Sequence, residues 1–210
     1  MAKIIVSLIS LTALISLIIN FGFIQKTNDN NRVVEVVDGD TFQLKSKERV
    51  RLMGVDAPEF DRCYGQEAKQ RLTQLILNKT VELKEPVTEK YGRTMALVYQ
   101  NGTLINKTMM EEGFARPDYR KNSQRDILTA AYQQAENTKI GLWNSCISKV
   151  ASNSCLIKGN IDFGTYEKFY HLPGCRQYNQ TILNLAFGEK WFCSESEAQQ
   201  AGFTKSKGCN

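Results

Sequence analysis

The part of the sequence that decides the fold lies in residues 38–59. It begins Asp38-Gly39-Asp40-Thr41-Phe42, and it ends Arg51-Leu52-Met53-Gly54-Val55-Asp56-Ala57-Pro58-Glu59. The Asp-Gly pair is typical of a tight turn. Apolar residues alternate as they do in half-buried strands, at Phe42, Leu44, Val50 and Leu52. The segment therefore predicts two strands of one sheet that carry polar side chains at their ends.

Carboxylates and an arginine are concentrated in these two strands. Strands of one sheet would carry Asp40, Arg51 and Asp56 toward a common place. Pro58 would stiffen the turn that presents Glu59. Acidic oxygens beside a guanidinium suit a hard cation, an activated water and a phosphate together.

Around this segment the chain alternates between strand and helix patterns. Further strands are predicted over residues 33–37, 81–83 and 95–99, with a loop over residues 86–90. Apolar spacing predicts three helices, over residues 64–78, 104–112 and 123–137, with Gly113 and Gly141 near helix ends. Five strands and three helices by themselves indicate an α+β class.

The charge of the chain is modest. The 210 residues carry a net charge of +5, and residues 32–150 contain 19 Lys and Arg against 16 Asp and Glu. Such a small surplus does not support nucleic-acid binding through the overall field of the protein. Binding of a nucleic acid would depend on locally placed arginines and a bound cation, and the charge alone is equally consistent with simple solubility.

The segment 38–59 resembles the thermonuclease family, the staphylococcal (micrococcal) nuclease-like proteins. Two further blocks carry the resemblance, Lys90-Tyr91-Gly92-Arg93 and Gly141-Leu142-Trp143, so that it extends over residues 32–143. The resemblance implies that the five strands form a small β-barrel of the OB type, accompanied by the three helices.

An oxygen-only metal site follows from the carboxylates and from the resemblance. Two carboxylates, a backbone carbonyl and waters favour Ca²⁺ over softer metals. The resemblance implies that Asp40, Asp56 and the carbonyl of Ala57 are the ligands. The family commonly has Thr at the last position, and Ala57 should serve equally because the contact is through the backbone. Asp38 is predicted to stabilise the turn with its side chain.

The catalytic assignments are implied by the same resemblance. Glu59 is the predicted general base, and Arg51 and Arg93 would hold the phosphate as charge builds in the transition state. The sequence agrees with a carboxylate base, because the only histidine, His171, lies far downstream of the site.

Substrate contacts are predicted for three more residues. The resemblance implies that Tyr91 and Tyr119 stack on the nucleotide or donate hydrogen bonds to it, and that Lys90 contacts a terminal phosphate. The family often has two tyrosines near the position of Tyr119, and this chain has one. The lysine-rich loop that follows the base in the family is shortened here to residues 60–63.

The implied activity is Ca²⁺-dependent hydrolysis of phosphodiester bonds in DNA and RNA, with 3′-phosphate products. Frayed or single-stranded substrates are expected, and the protein is expected to be a monomer. The alternative is a catalytically silent nucleic-acid-binding module of the same fold. An adhesive role for the C-terminal segment would be a further possibility. The presence of every proposed catalytic and metal-binding residue favours the enzyme.

Both ends of the chain lie outside the predicted nuclease domain, residues 32–147. Residues 1–24 are apolar and predict a cleaved signal peptide or a membrane anchor formed by residues 4–24, followed by a polar linker over residues 25–31. Either alternative predicts export, as a secreted or periplasmic protein or as one anchored outward on the cytoplasmic membrane. Residues 150–210 form a predicted small cysteine-rich unit.

Six cysteines behind an export segment predict disulfides. Cys63 lies beside the predicted catalytic turn and Cys146 at the end of the nuclease domain, and the two are predicted to pair, which leaves four tail cysteines with three pairing patterns. The rival hypothesis is a zinc site built from tail cysteines and His171, although no Cys-x-x-Cys pair is present. In the tail, Ser194 and Glu197 predict the start of a short helix that ends near Gly202.

Overall fold

The computed structural model describes residues 29–89, 92–118, 120–149 and 155–209, and this part of the chain is an α+β protein. The predicted signal peptide or anchor lies outside the described residues, as do residues 25–28 of the predicted linker. No helix within the described ranges combines the length and apolar character that crossing a bilayer requires.

The main sheet contains the five predicted strands, and their bounds are β1 (Val33–Val36), β2 (Thr41–Leu44), β3 (Arg49–Leu52), β5 (Glu82–Thr88) and β6 (Thr94–Gln100). The strand order is β1-β2-β3-β6-β5. Neighbouring strands are antiparallel except for β3 and β6, which are parallel. A short strand, β7 (Thr103–Leu104), pairs with β6. Strand β3 lies at the centre of the sheet. Arg51 on this strand therefore lies between two paired neighbouring strands, β2 and β6.

The prediction of a loop over residues 86–90 was wrong for residues 86–88, which belong to strand β5. Strand β5 continues to Thr88, and its pairing with β6 shifts register between Lys84 and Val87. Glu85 has a φ of 51° at this shift. A bulge removes the need for a ladder hydrogen bond from the next residue, so Pro86 is accommodated within the strand.

The three predicted helices are confirmed as α1 (Gly65–Ile76), α2 (Ile105–Glu111) and α3 (Arg125–Asn137), and a single turn, α4 (Leu142–Ser145), follows them. Helix α1 buries its apolar face, with Ala68, Leu72 and Ile76 inaccessible to solvent. These side chains belong to one core cluster with residues of strands β1, β2, β3 and β6. Burial of an apolar stripe against the sheet is what stabilises the helix.

The start of helix α1 packs against the turn that contains Glu59. A Cβ atom added to Gly65 would lie 1.9 Å from the carbonyl oxygen of Glu59. The backbones approach too closely for any side chain, so glycine is required at this position by the packing of the turn.

We expect the substitution Gly65→Ala to lower the free energy of unfolding by about 2 kcal/mol, because the helix must move away from the turn. Chemical denaturation measures the change. Gly164→Ala is the matched control, since the nearest atom to its new Cβ would be Asp162 Oδ1 at 3.4 Å. Equal stability of the two variants would contradict the close approach.

The C-terminal segment has a sheet and a core of its own. The sheet contains β10 (Ile157–Ile161), β11 (Lys168–His171), β13 (Lys190–Phe192) and β14 (Thr204–Lys205), in the order β13-β10-β11-β14. The core cluster beneath it contains Ile157, Tyr170, Phe192, Ala198 and Phe203. A two-stranded ladder of β9 (Ile147–Ser148) and β12 (Leu183–Asn184) connects this segment to the end of the preceding one.

The predicted helix start in the tail is confirmed. Helix α5 (Glu195–Gln200) is capped by Ser194, whose hydroxyl accepts a hydrogen bond of 3.2 Å from the N–H of Glu197. Gly202, with a φ of 81°, lies just beyond the helix end. A side-chain cap satisfies one of the free N–H groups at a helix N-terminus.

All six cysteines form disulfides. The predicted Cys63–Cys146 bridge is confirmed, and the tail pairs are Cys155–Cys193 and Cys175–Cys209. The hypothesis of a zinc site is wrong, because every tail cysteine is consumed by a disulfide and no free thiolate remains to bind a metal. The first bridge ties the loop after Glu59 to the end of helix α4.

Candidate active site

Asp40 lies immediately before strand β2 and is only 2% exposed. Its Oδ1 accepts hydrogen bonds from Arg51 Nη1 at 2.7 Å and from the hydroxyl of Thr41 at 2.8 Å. Its Oδ2 accepts a hydrogen bond of 3.0 Å from the backbone N–H of Ala57. Thr41 and Arg51 are cross-strand partners, so the sheet register itself places the guanidinium beside the carboxylate.

Asp56 is held by two arginines. Its Oδ1 accepts a hydrogen bond of 3.0 Å from Arg51 Nη2, and its Oδ2 accepts one of 2.8 Å from Arg116 Nε. Asp56 and Arg116 face each other in a short antiparallel ladder of β4 (Val55–Asp56) and β8 (Arg116–Pro117). The Arg51 guanidinium therefore joins Asp40 and Asp56 as the sequence predicts, but Asp56 lies in the separate ladder of β4 and β8 and not in the main sheet.

The charged groups of this cluster shift one another's pKa values. Burial raises the pKa of Asp40 to about 7, against the effects of Arg51 and the Ala57 N–H, which favour the carboxylate. Burial lowers the pKa of Arg51, but Asp40 and Asp56 outweigh it, so that the Arg51 pKa is raised overall. The predicted role of Asp38 is confirmed, because its Oδ1 accepts a hydrogen bond of 3.0 Å from the N–H of Asp40 and closes the turn.

The oxygen atoms of the cluster fit a hard cation. Asp40 Oδ2 accepts one hydrogen bond, and each oxygen of Asp56 accepts one. A carboxylate oxygen has two lone pairs, so these atoms retain capacity for a metal. Within the described ranges no group of three or more Asp, Glu, His or Cys side chains could hold a metal ion. A cation at this place would therefore depend on a backbone carbonyl and on water, in addition to the two carboxylates.

Glu59 lies on the surface turn that follows Pro58, and its side chain is exposed. Its carbonyl accepts a hydrogen bond of 2.9 Å from the N–H of Arg62. Among the described residues, the carboxylate of Glu59 has no hydrogen bond or ion pair, which leaves it accessible to water. The turn is fixed on its other side by the disulfide of Cys63.

Arg93 lies immediately before strand β6, next to the central strand β3. Val50 of β3 pairs with Thr94 of β6, so Arg93 lies beside the start of β3. Its Nε donates a hydrogen bond of 2.6 Å to Glu89, and its side chain is 35% exposed. Arg93 and Glu89 also line a cleft of about 480 Å³.

Two further charged residues connect Arg93 with the central cluster. Arg120 pairs with Glu89, the partner of Arg93, and with Asp118 at 3.1 Å. The charge of Asp118 helps to raise the pKa of Arg51. The charged groups around Arg93 therefore lie within electrostatic reach of Arg51, although the two guanidinium groups share no hydrogen-bond partner in the described part of the chain.

Comparison with known proteins agrees with this geometry. Residues 49–145 match the family of staphylococcal nuclease homologues. An uncharacterized endonuclease of Haemophilus influenzae is 34% identical over 139 residues, which cover 64% of this chain and 78% of that protein. A micrococcal nuclease of Shigella flexneri is 33% identical over 125 residues, or 53% of this chain and 72% of that protein.

The chain is a staphylococcal nuclease homologue. The family predicted from the sequence is confirmed, and so is the enzyme class that it implies, a nuclease hydrolase. The α+β class is confirmed as well, with the OB-like fold of the family. The family match ends at residue 145, just before Cys146 and the C-terminal unit.

Three residues predicted for this staphylococcal nuclease homologue cannot be placed. Lys90, Tyr91 and Tyr119, the predicted substrate contacts, lie outside the described residues. Sequence reasoning also missed Arg116 and Arg120. Neither belongs to the motif blocks that carried the resemblance, and only the pairing of β4 with β8 could have indicated that Arg116 faces Asp56.

Proposed function

We propose that this staphylococcal nuclease homologue is exported and uses Ca²⁺ to hydrolyse phosphodiester bonds of DNA and RNA, leaving 3′-phosphate ends. The observation that carries the proposal is the Arg51 guanidinium shared by Asp40 and Asp56. It unites the proposed cation ligands and the proposed phosphate-binding group in one place.

The proposed cation ligands are Asp40, Asp56 and the carbonyl of Ala57. When bound, Ca²⁺ would polarise a phosphoryl oxygen and help to order the attacking water. Arg51 orients both carboxylates toward each other and offsets their mutual repulsion. The N–H of Ala57 fixes Asp40 from the opposite side at 3.0 Å, so the backbone that carries the proposed carbonyl ligand is tied to the proposed carboxylate ligand.

Glu59 is the proposed general base, and the arginines are the proposed phosphate clamp. An exposed carboxylate without a partner among the described residues is free to take a proton from a water. Within the described part of the chain, Arg93 donates a hydrogen bond through Nε to Glu89 and none through its two Nη groups, so we propose the Nη groups as donors to phosphate oxygens. Guanidinium groups complement the charge that develops on phosphoryl oxygens in the transition state.

The proposal of export is supported by the disulfides. Three bridges are compatible with an extracellular or otherwise oxidising compartment, where disulfides form and persist. The apolar segment 4–24 would supply the signal or the anchor. Lys90, Tyr91 and Tyr119 remain the proposed contacts to single-stranded DNA or RNA.

Incubation of the purified full-length protein with DNA and RNA, in Ca²⁺ or in a chelator, tests the proposal. We expect cleavage only with Ca²⁺, and end analysis should find 3′-phosphates. Equal cleavage in the chelator would contradict the role of the cation. Binding of the nucleic acid without cleavage in either condition would support the catalytically silent binding module instead.

Calcium affinity is expected to depend on pH through Asp40. A carboxyl with a pKa of about 7 is largely protonated at pH 6 and ionised at pH 8, and only the ionised form binds a cation. Binding of Ca²⁺ should therefore tighten by about tenfold between pH 6 and pH 8 and release a proton at pH 6.

Calorimetric titrations in two buffers of different ionisation enthalpy measure both effects of pH on calcium binding. An affinity that is the same at both pH values would show that Asp40 is already ionised at pH 6.

A further inference from the structure

We propose that the C-terminal unit positions the active site: Phe163 and Phe187 hold Arg116 between their rings, and Arg116 in turn orients Asp56. This inference rests on the proposed function, in which Asp56 is a ligand of the cation. Arg116 is a positioning residue, because it touches the proposed ligand and has no place at the reacting atoms.

The contact begins with Arg116 and its two aromatic neighbours. The guanidinium carbon of Arg116 lies 3.8 Å from the centroid of the Phe187 ring and 4.2 Å from that of Phe163. The rings are 6.3 Å apart and inclined at 68° to each other. Both belong to the C-terminal unit, whereas Arg116 belongs to the nuclease segment.

The rings limit both the solvent and the freedom of the arginine. Arg116 is 7% exposed and Phe187 is 4% exposed, whereas Phe163 is 41% exposed. A cation over an aromatic face is attracted by the ring, and the attraction grows when water is excluded. The rings therefore restrict the rotation of the Arg116 guanidinium, whose Nε donates the 2.8 Å hydrogen bond to Asp56.

A single carboxylate of the C-terminal unit fixes the backbone beside both rings. Glu189 is 8% exposed, and it accepts hydrogen bonds from the N–H of Asn184 at 2.6 Å and of Ile161 at 2.9 Å. Asn184 starts the 3₁₀ turn Leu185–Phe187, and Ile161 ends the strand that leads to Phe163. Burial raises the pKa of Glu189 above its usual value, and the two backbone hydrogen bonds and the charge of Arg116 oppose this shift.

The same turn of the C-terminal unit approaches the loop of the proposed base. A Cβ atom on Gly188 would lie 3.4 Å from the guanidinium carbon of Arg62. Arg62 follows Glu59 by three residues and precedes Cys63, whose disulfide to Cys146 closes the loop. The C-terminal unit thus contacts the site at Arg116 and also lies close to the Glu59 turn, beside Arg62.

A residue that orients a metal ligand has a measurable effect on the affinity for the metal. Groups that hydrogen-bond to a ligand orient it, and their loss typically weakens metal binding by about 10- to 100-fold. A purely structural contact would lower stability without changing the affinity for the cation. The two roles therefore separate in a measurement of affinity made on folded protein.

The test uses the double variant Phe163→Leu/Phe187→Leu in the full-length protein. We expect its Kd for Ca²⁺, measured by calorimetry, to rise about tenfold. The matched control is Phe203→Leu, because Phe203 is as buried as Phe187, at 4% exposed, and packs on Phe192, away from Arg116. It should lower stability and leave the Kd unchanged.

Nuclear magnetic resonance of arginine Nε–H groups gives a readout independent of calcium. The Arg116 signal, assigned by its loss in Arg116→Lys, should be shifted by the rings and protected from exchange, and the double variant should abolish both effects. An unshifted, rapidly exchanging signal in the parent protein overturns the proposal, as does an unchanged Kd in the double variant. If the parent protein binds no Ca²⁺, the proposed function fails, and the Arg116 signal still decides whether the arginine is held.

Discussion

The substitution Glu59→Gln is expected to lower kcat by about 10²- to 10⁴-fold, the range over which a general base contributes. Glutamine keeps the shape of the side chain but cannot accept a proton from water. The Kd for Ca²⁺ and the free energy of unfolding should stay close to those of the parent protein, because the Glu59 side chain is exposed and makes no bond to another described residue. Single-turnover cleavage of a labelled oligonucleotide measures the loss.

The matched control for Glu59 is Asp61→Asn, which removes an exposed carboxylate two residues away in the same turn. Its kcat should remain near that of the parent protein. If Glu59→Gln and Asp61→Asn are equally active, Glu59 is not the base. If both lose activity to the same degree, the turn contributes through its charge and not through proton transfer.

The substitution Arg51→Met should strongly reduce cleavage and also destabilise the fold. Arg51 makes hydrogen bonds to both Asp40 and Asp56, and its removal leaves Asp40 buried without its charged partner. Breaking a buried pair in this way costs about 3 to 5 kcal/mol. Turnover is expected to fall by about 10²- to 10³-fold or more, as it does when a group that stabilises transition-state charge is lost.

The stability loss of Arg51→Met should grow as the pH rises. Without Arg51, the pKa of Asp40 in the folded state moves further above its usual range, while its value in the unfolded chain does not change. The folded state then binds more protons than the unfolded state, so stability falls as the pH rises toward the folded pKa. Urea unfolding at pH 6 and pH 8 measures this difference.

Arg93→Met is the control that separates the effect of the arginines on turnover from their effect on stability. Arg93 is 35% exposed and pairs with Glu89 near the surface, and such pairs contribute about 1 kcal/mol or less. The variant should lose turnover and keep its stability at both pH values. Equal stability losses in Arg51→Met and Arg93→Met would contradict the burial of the Arg51 cluster.

The regular elements could be predicted because their patterns are local. Helix α1 has apolar residues at the helical spacing of Ala68, Leu72 and Ile76, and all three are buried. Strand β5 extends beyond its predicted end because a bulge at Glu85 accommodates Pro86, and bulges leave no reliable mark in composition. Part of the candidate site was predicted in the same local way, since Thr41 and Arg51 are paired through one hairpin.

By itself, the sequence determined the five strands of the main sheet apart from the end of β5, the three longer helices of the nuclease segment, the family, the Cys63–Cys146 bridge and the proximity of Asp40, Arg51 and Asp56. These features depend on short-range periodicity, on motif order and on the even number of cysteines. Only the tertiary structure decided which tail cysteines pair, and that Arg116 binds Asp56 while resting between two rings of the C-terminal unit. The physical reason is that four tail cysteines allow three pairings, and that no periodic pattern or motif records the partners of Arg116, so only the folded packing selects these contacts.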